Sequence, residues 1–200
     1  MAYCFFRLLF KIIFALFFRL EVYGRENIPS EGPFILCANH FSFLDPPLVG
    51  TLTNRTVRFM AKEELFKIPI LGKIITSLQA FPVKRNTADR RAIRIALETL
   101  KNGRGLGIFP EGTRSRTGEL LPPQAGVALI AVKSKAPVVP IGIIGPYQLF
   151  KPLRVFIGTP LSFPEYYDVK ITGEELNEMA QQIMQEIARL RQGNNGVKIH

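Results

Sequence analysis

From residue 21 onward, short apolar runs alternate with longer segments whose apolar positions recur every three or four residues. Residues 33–38 (PFILCA), 56–61, 79–83, 105–109, 138–141 and 155–157 are apolar stretches too short for a stable helix, and they read as strands. Residues 46–52, 70–77, 87–101, 124–134 and 174–191 read as helices. This alternation predicts an α/β fold with a mostly parallel central sheet flanked by helices. Two helices carry clear punctuation. Thr87 or Asn86 can cap the helix over 87–101, whose apolar stripe is Ile93, Leu97 and Leu100, and Asn102-Gly103 supplies its stop. Thr172 with Glu175 three positions on forms a capping box for the last helix.

The first twenty residues stand apart, with six phenylalanines interrupted by Arg7, Lys11 and Arg19. On a helix of 100° per residue those cations fall within about 120° of one another and leave a wide apolar arc. Charges at Arg7 and Lys11 argue against a spanning helix, and Phe17-Phe18-Arg19-Leu20 is no signal-peptide cleavage site. The expectation is an amphipathic helix over residues 1–20, lying in one leaflet with its basic face among lipid phosphates. A core helix of a soluble domain is the alternative. The main domain then runs over 21–192, and 193–200 is a flexible tail.

Charge sharpens the choice of partner. Lysine and arginine number 26 against 16 acidic residues, a balance of +10. The surplus implies an anionic partner: nucleic acid, phospholipid headgroups or a phosphorylated small molecule. No RNP-like strand, helix-turn-helix or zinc-finger pattern occurs, which disfavours nucleic acid. Cys4 and Cys37 are too few for a disulfide framework and have no metal-ligand spacing with histidine, so neither a metal nor another cofactor is expected.

Candidate chemistry gathers at the ends of strands. Asn39-His40-Phe41-Ser42-Phe43-Leu44-Asp45 follows the strand FILCA directly. In a parallel sheet, ligands bind beyond the carboxyl ends of the strands. Asp45 is near enough for one turn to bring its carboxylate to an imidazole nitrogen, which would leave the other nitrogen to deprotonate an alcohol. Taken alone, the same residues also read as a buried structural histidine before a helix-capping aspartate. Phe109-Pro110-Glu111-Gly112-Thr113-Arg114-Ser115 is a second strand running into a glycine turn, and its guanidinium suits bidentate phosphate binding. Lys84 and Arg85 end another strand, and Lys62 follows the strand TVRFMA. With a parallel sheet, His40, Lys62, Arg85, Glu111 and Arg114 share one edge. One base beside several cations makes a site for an alcohol that also carries phosphate. No GxSxG elbow is present.

These boxes together resemble the glycerolipid acyltransferase family, and within it the 1-acyl-sn-glycerol-3-phosphate acyltransferases. NHxxxxD, a strand box ending at Arg85, FPEGTRS and the V-P-I box of Val139-Pro140-Ile141 occur in the family's order over residues 39–142. In the second box, Gln79 stands where the pattern has glycine. The resemblance implies that His40 is the general base and Asp45 its orienting partner. It implies that Arg85 and Arg114 bind an acceptor phosphate, that Glu111, Gly112 and Thr113 shape that pocket, and that Lys62 assists. It further implies acyl-CoA or acyl-carrier protein as donor, lysophosphatidic acid as acceptor and an anionic membrane as partner. The expected location is peripheral or monotopic on the cytoplasmic face. Glycerol 3-phosphate or another lysophospholipid is the alternative acceptor, and a non-catalytic basic membrane-binding module is the rival outside enzymes.

Overall fold

A computed structural model describes residues 2–84 and 89–193. Among these residues seven strands form one sheet: β1 (Arg19–Tyr23), β2 (Phe34–Ala38), β3 (Val57–Lys62), β4 (Phe81–Val83), β5 (Gly105–Ile108), β6 (Val138–Ile144) and β7 (Pro152–Ile157). Their spatial order is β1-β7-β6-β2-β5-β3-β4. Strands β6, β2, β5, β3 and β4 pair in parallel. Strand β7 runs antiparallel to β6 and carries β1 parallel to itself at the edge. The α/β fold with a mostly parallel sheet is therefore as expected, and all six strands read from the sequence are present.

Helices cover both faces. The helices are α1 (Ala2–Phe17), α2 (Asp45–Thr51), α3 (Pro69–Ser77), α4 (Arg90–Lys101), α5 (Gly126–Ser134) and α6 (Gly173–Arg191). On one face α4, α5 and α6 pack Ala92, Ala96, Val127, Ala128 and Ile183 against Ile35 and Cys37 of β2. On the other, Phe14 and Phe18 at the end of α1 and Leu48 and Val49 of α2 meet Phe34, Leu36 and Ala38. Alternate residues of β2 thus serve opposite layers, which is why FILCA is apolar throughout rather than alternating.

Strand β5 has glycines where its neighbours have rings. Gly105 pairs with Phe34 of β2 and Gly107 with Phe59 of β3. A Cβ on Gly107 would come within 2.1 Å of the Phe59 ring, so the aromatic side chain takes the space a larger residue would need. The sheet stays filled, and Phe59 is set beneath the residues that follow β5.

Three local expectations are corrected. The N-terminal helix ends at Phe17, and Arg19 begins edge strand β1, so Arg7, Lys11 and Arg19 do not make one basic helical face. Arg7 instead donates to the Asn54 carbonyl and lies over the Tyr3 ring. The exposed arc of α1 is apolar, formed by Phe5, Leu8, Leu9, Ile12 and Leu16, with Lys11 at its margin. No helix among the described residues is long and apolar enough to cross a membrane. The cap of α4 is Asp89, whose carboxylate accepts from the Ala92 N–H, while Asn86 and Thr87 lie outside the described residues. Ala92, Ala96, Thr99 and Leu100 form its buried face, and Ile93 and Leu97 flank it. The capping box of Thr172 and Glu175 forms as read.

Gln79 explains how the strand box works without its glycine. It follows the C-cap of α3 with φ +59°. Its N–H bonds the Thr76 carbonyl at 2.9 Å and the Ala80 N–H bonds Ile75 at 3.0 Å, the double bond of a left-handed helix stop. Glycine adopts that conformation freely, and a β-branched residue resists it. Gln79→Gly is expected to be neutral or to stabilise by up to ~1 kcal/mol, and Gln79→Val to cost about 1–2 kcal/mol. Urea unfolding of both variants checks the ordering, and a Val variant more stable than the Gly variant would exclude this geometry.

Candidate active site

All five central strands end on one edge of the sheet, and the chemistry-bearing residues follow from there. His40 stands two residues beyond β2. Asn39 before it is buried and bridges to β6, donating to the Ile143 carbonyl at 3.1 Å and accepting from the Ile143 N–H at 2.8 Å. That two-way bond fixes where the chain leaves β2. The turn then folds back on itself, and Asp45 opens α2 with its side chain wholly buried.

The Asp45 carboxylate is surrounded by donors. Oδ2 accepts from His40 Nδ1 at 2.8 Å and from the N–H groups of Phe41 and Ser42, both at 2.7 Å. Oδ1 accepts from the Tyr147 hydroxyl at 2.6 Å. An ionised carboxylate only accepts, so the imidazole proton sits on Nδ1 and the lone pair on Nε2. The ring is stacked on Phe109 at 4.1 Å between centroids, and Phe109 stacks on Phe59 at 6.1 Å. The imidazole is held in its plane by the ring and about its axis by the carboxylate. Burial, reinforced by the Asp45 charge, pushes the Tyr147 hydroxyl far above its ordinary range, so it remains a donor.

Glu111 ties the second motif to the first. Its buried carboxylate accepts from the His40 N–H at 2.9 Å and from the Leu121 N–H at 3.2 Å. Burial raises its pKa above the usual carboxylate range, and those two donors oppose the rise. The bond is reciprocated, because the Ser115 N–H donates to the His40 carbonyl at 2.8 Å. Glu111 therefore sets the shape of the loop, and its oxygens are occupied by main chain. Gly112 turns the loop with φ +68°, its N–H bonded to the Phe109 carbonyl at 3.0 Å.

The cations are less uniformly placed. The Arg114 guanidinium lies over the Phe43 ring, 3.4 Å from its centroid, and donates to no described residue. It is held as a plate with its N–H edge available. Lys62 ends β3 on the same edge but is partly exposed and paired with Glu64 at 3.1 Å. Thr113 is exposed beside Gly112. Arg85 lies outside the described residues; Lys84 before it follows β4 on that edge.

Sequence reading missed Tyr147, Phe109 and Asn39 as parts of the site. Tyr147 had one available signal: Gly145-Pro146-Tyr147 follows strand β6, and this edge is where a parallel sheet places its ligands. Phe109 and Asn39 were in view as members of their motifs without a role.

The acyltransferase family model matches residues 19–144. The 1-acyl-sn-glycerol-3-phosphate acyltransferase of Bacillus subtilis (strain 168) is 33% identical over 186 residues, covering 90% of this chain and 92% of that protein. A chloroplastic 1-acyl-sn-glycerol-3-phosphate acyltransferase of Brassica napus, BAT2, is 35% identical over 132 residues, 64% of this chain and 38% of that protein. This chain thus spans under half the length of the plant relative. Among solved structures, the crystal structure of the 1-acyl-sn-glycerophosphate (LPA) acyltransferase PlsC from Thermotoga maritima superposes with a TM-score of 0.74. It is 33% identical, and the match covers 94% of this chain and 79% of that one.

Removing the phenol tests the packing around Asp45. Tyr147→Phe leaves Oδ1 without its donor in a dry place, and the expected loss of stability is about 1–3 kcal/mol. Urea unfolding at neutral pH measures it, and a loss under ~0.5 kcal/mol would mean that Tyr147 is not needed to satisfy the carboxylate.

Proposed function

The chain belongs to the acyltransferase family, and from that premise we propose that it transfers a fatty acyl group from acyl-CoA or acyl-carrier protein to the free hydroxyl of 1-acyl-sn-glycerol 3-phosphate, giving phosphatidic acid, with His40 as general base. The observation that carries the role of His40 is its 2.8 Å bond from Nδ1 to a fully buried, fully donated Asp45. Nε2 removes the proton of the acceptor hydroxyl as that oxygen attacks the thioester carbonyl. The tetrahedral intermediate collapses, the C–S bond breaks, and the thiolate takes the proton back from the imidazolium. Asp45 keeps the tautomer and stabilises the imidazolium between those two transfers. No covalent acyl-enzyme is needed. The only cysteine near the site, Cys37, is buried in β2, and burial pushes its thiol well above the range where it ionises.

Arg114 supplies the charge for the acceptor phosphate, presented from the Phe43 ring at the mouth of the site, and Arg85 joins it from the strand box. Lys62 can join after releasing Glu64. Gly112 and Thr113 bound the same pocket, and Glu111 holds its floor. The apolar arc of α1, with Lys11 at its margin, fits a helix lying in one leaflet of an anionic bilayer. Both proposed thioester donors are cytoplasmic, which supports a position on the cytoplasmic face of the membrane.

The test uses purified protein in detergent or liposomes with oleoyl-CoA or acyl-carrier protein and lysophosphatidic acid, following phosphatidic acid and free thiol. His40→Ala is expected to lower turnover by roughly 10²–10⁴-fold. Arg114→Ala is expected to raise KM for the phosphomonoester acceptor by about 10–100-fold with a smaller effect on kcat. Undiminished turnover in the His40 variant would remove the base from this reading, and an inert wild type with every acceptor tried would remove acyl transfer itself.

A further inference from the structure

Between β6 and β7 the chain makes a turn over residues 145–151 that presents Leu149 and Phe150 to solvent, 60% and 67% exposed. Phe150 has φ +62°, a left-handed conformation that costs a bulky side chain energy. Its ring packs into neither core layer, so no apolar burial offsets that cost. An unusual backbone conformation that displays an apolar side chain points outward for its explanation.

The surroundings say what chemistry the turn meets. The Phe150 N–H donates to the Phe17 carbonyl at the end of α1, at 2.9 Å, so Leu149 and Phe150 extend the exposed Leu16 and Phe17 of that helix. Arg19 and Lys151 flank the tip, both exposed and joined through the Arg19 N–H to the Lys151 carbonyl at 3.3 Å. No carboxylate occurs in residues 1–20 or 145–164, and the one that follows Arg19 in β1, Glu21, accepts from Arg154 at 2.9 Å. Apolar side chains flanked by the Arg19 and Lys151 cations match an interface where acyl chains lie beneath anionic headgroups.

The same turn reaches the catalytic edge. Tyr147, two residues before Leu149, lies 6.0 Å from Phe18 and 5.5 Å from Phe41 between ring centroids, and its hydroxyl holds Asp45. We propose that the Leu149–Phe150 turn is a second lipid-contacting element, which inserts into an anionic bilayer beside α1 and sets the His40 edge at the membrane surface. The acceptor hydroxyl then reaches Nε2 while its acyl chain stays in the leaflet. This rests on the acyltransfer reading for its substrate, though the lipid contact is measurable without turnover.

The full chain is compared with L149S/F150N, in which asparagine accepts the left-handed conformation and so preserves the turn. Co-sedimentation with vesicles of phosphatidylglycerol and phosphatidylcholine should weaken by roughly tenfold or more. Turnover of oleoyl lysophosphatidic acid embedded in vesicles should fall in proportion, and turnover of a water-soluble hexanoyl acceptor should be unchanged. Unaltered sedimentation overturns the proposal. Equal loss on both acceptors overturns it too, because the turn would then act only through the geometry of Tyr147. A lipid-free dimer that becomes monomeric in the variant would make the patch a protein interface and overturn it as well. A wild type inert toward both acceptors sinks acyl transfer alone, since the vesicle arm still decides the lipid contact.

Discussion

A carboxylate shut away from water must find its donors inside the protein, and the arrangement of this site follows from how Asp45 does so. Two donors come from the main chain of its own turn, one from His40 and one from Tyr147 across 102 residues of sequence. Leaving any one of them out costs more than an average hydrogen bond gives, because the unpaired charge stays buried. The turn after β2, the start of α2 and the loop after β6 are therefore fixed relative to one another. The imidazole inherits its orientation from a charge that has nowhere else to turn.

The opposite side of the imidazole is set by the sheet. Gly107 leaves room for Phe59, Phe59 supports Phe109, and Phe109 supports the His40 ring. A missing side chain in the middle of β5 is thus transmitted through two aromatic rings to the imidazole. The Glu111 carboxylate holds the His40 N–H and the Ser115 N–H holds the His40 carbonyl, so the two motifs are braced through a ring stack and through both main-chain polar groups of His40. Preorganisation of this kind holds the imidazole in one orientation before any ligand arrives.

What was legible in the sequence was local or periodic. The five central strands read correctly because each is a short apolar run with turn residues beside it, and the capping box of Thr172 read correctly because its partners are three residues apart. His40, Glu111 and Arg114 were placed on one edge because a parallel sheet puts all its strand ends together. Strand β1 was not legible: Arg19–Tyr23 continues the apolar start of the chain, and only pairing with β7, more than 130 residues later, makes it a strand. The cap at Asp89 was hidden beside two competent neighbours in sequence, Asn86 and Thr87, since the choice depends on which side chain meets the Ala92 N–H. Tyr147 escaped because no spacing rule connects it with Asp45. The basic face assigned to the first helix failed because the wheel was drawn through Arg19, beyond the point where the helix stops.

The strand order has a consequence for the chain while it is being made. Strand β2 is the middle of the sheet, yet both of its neighbours, β5 and β6, are encoded later, and β6 ends about a hundred residues downstream. At a synthesis rate of roughly 5–20 residues per second, FILCA leaves the ribosome some 5–20 seconds before its second edge can be covered. Until β5 follows, this fully apolar strand has both edges open, and until β6 follows it still has one, while the phenylalanine-rich segment ahead of it has already emerged. An apolar strand with an uncovered edge is a template for pairing with another chain, and here the order of the strands alone creates that exposure during synthesis.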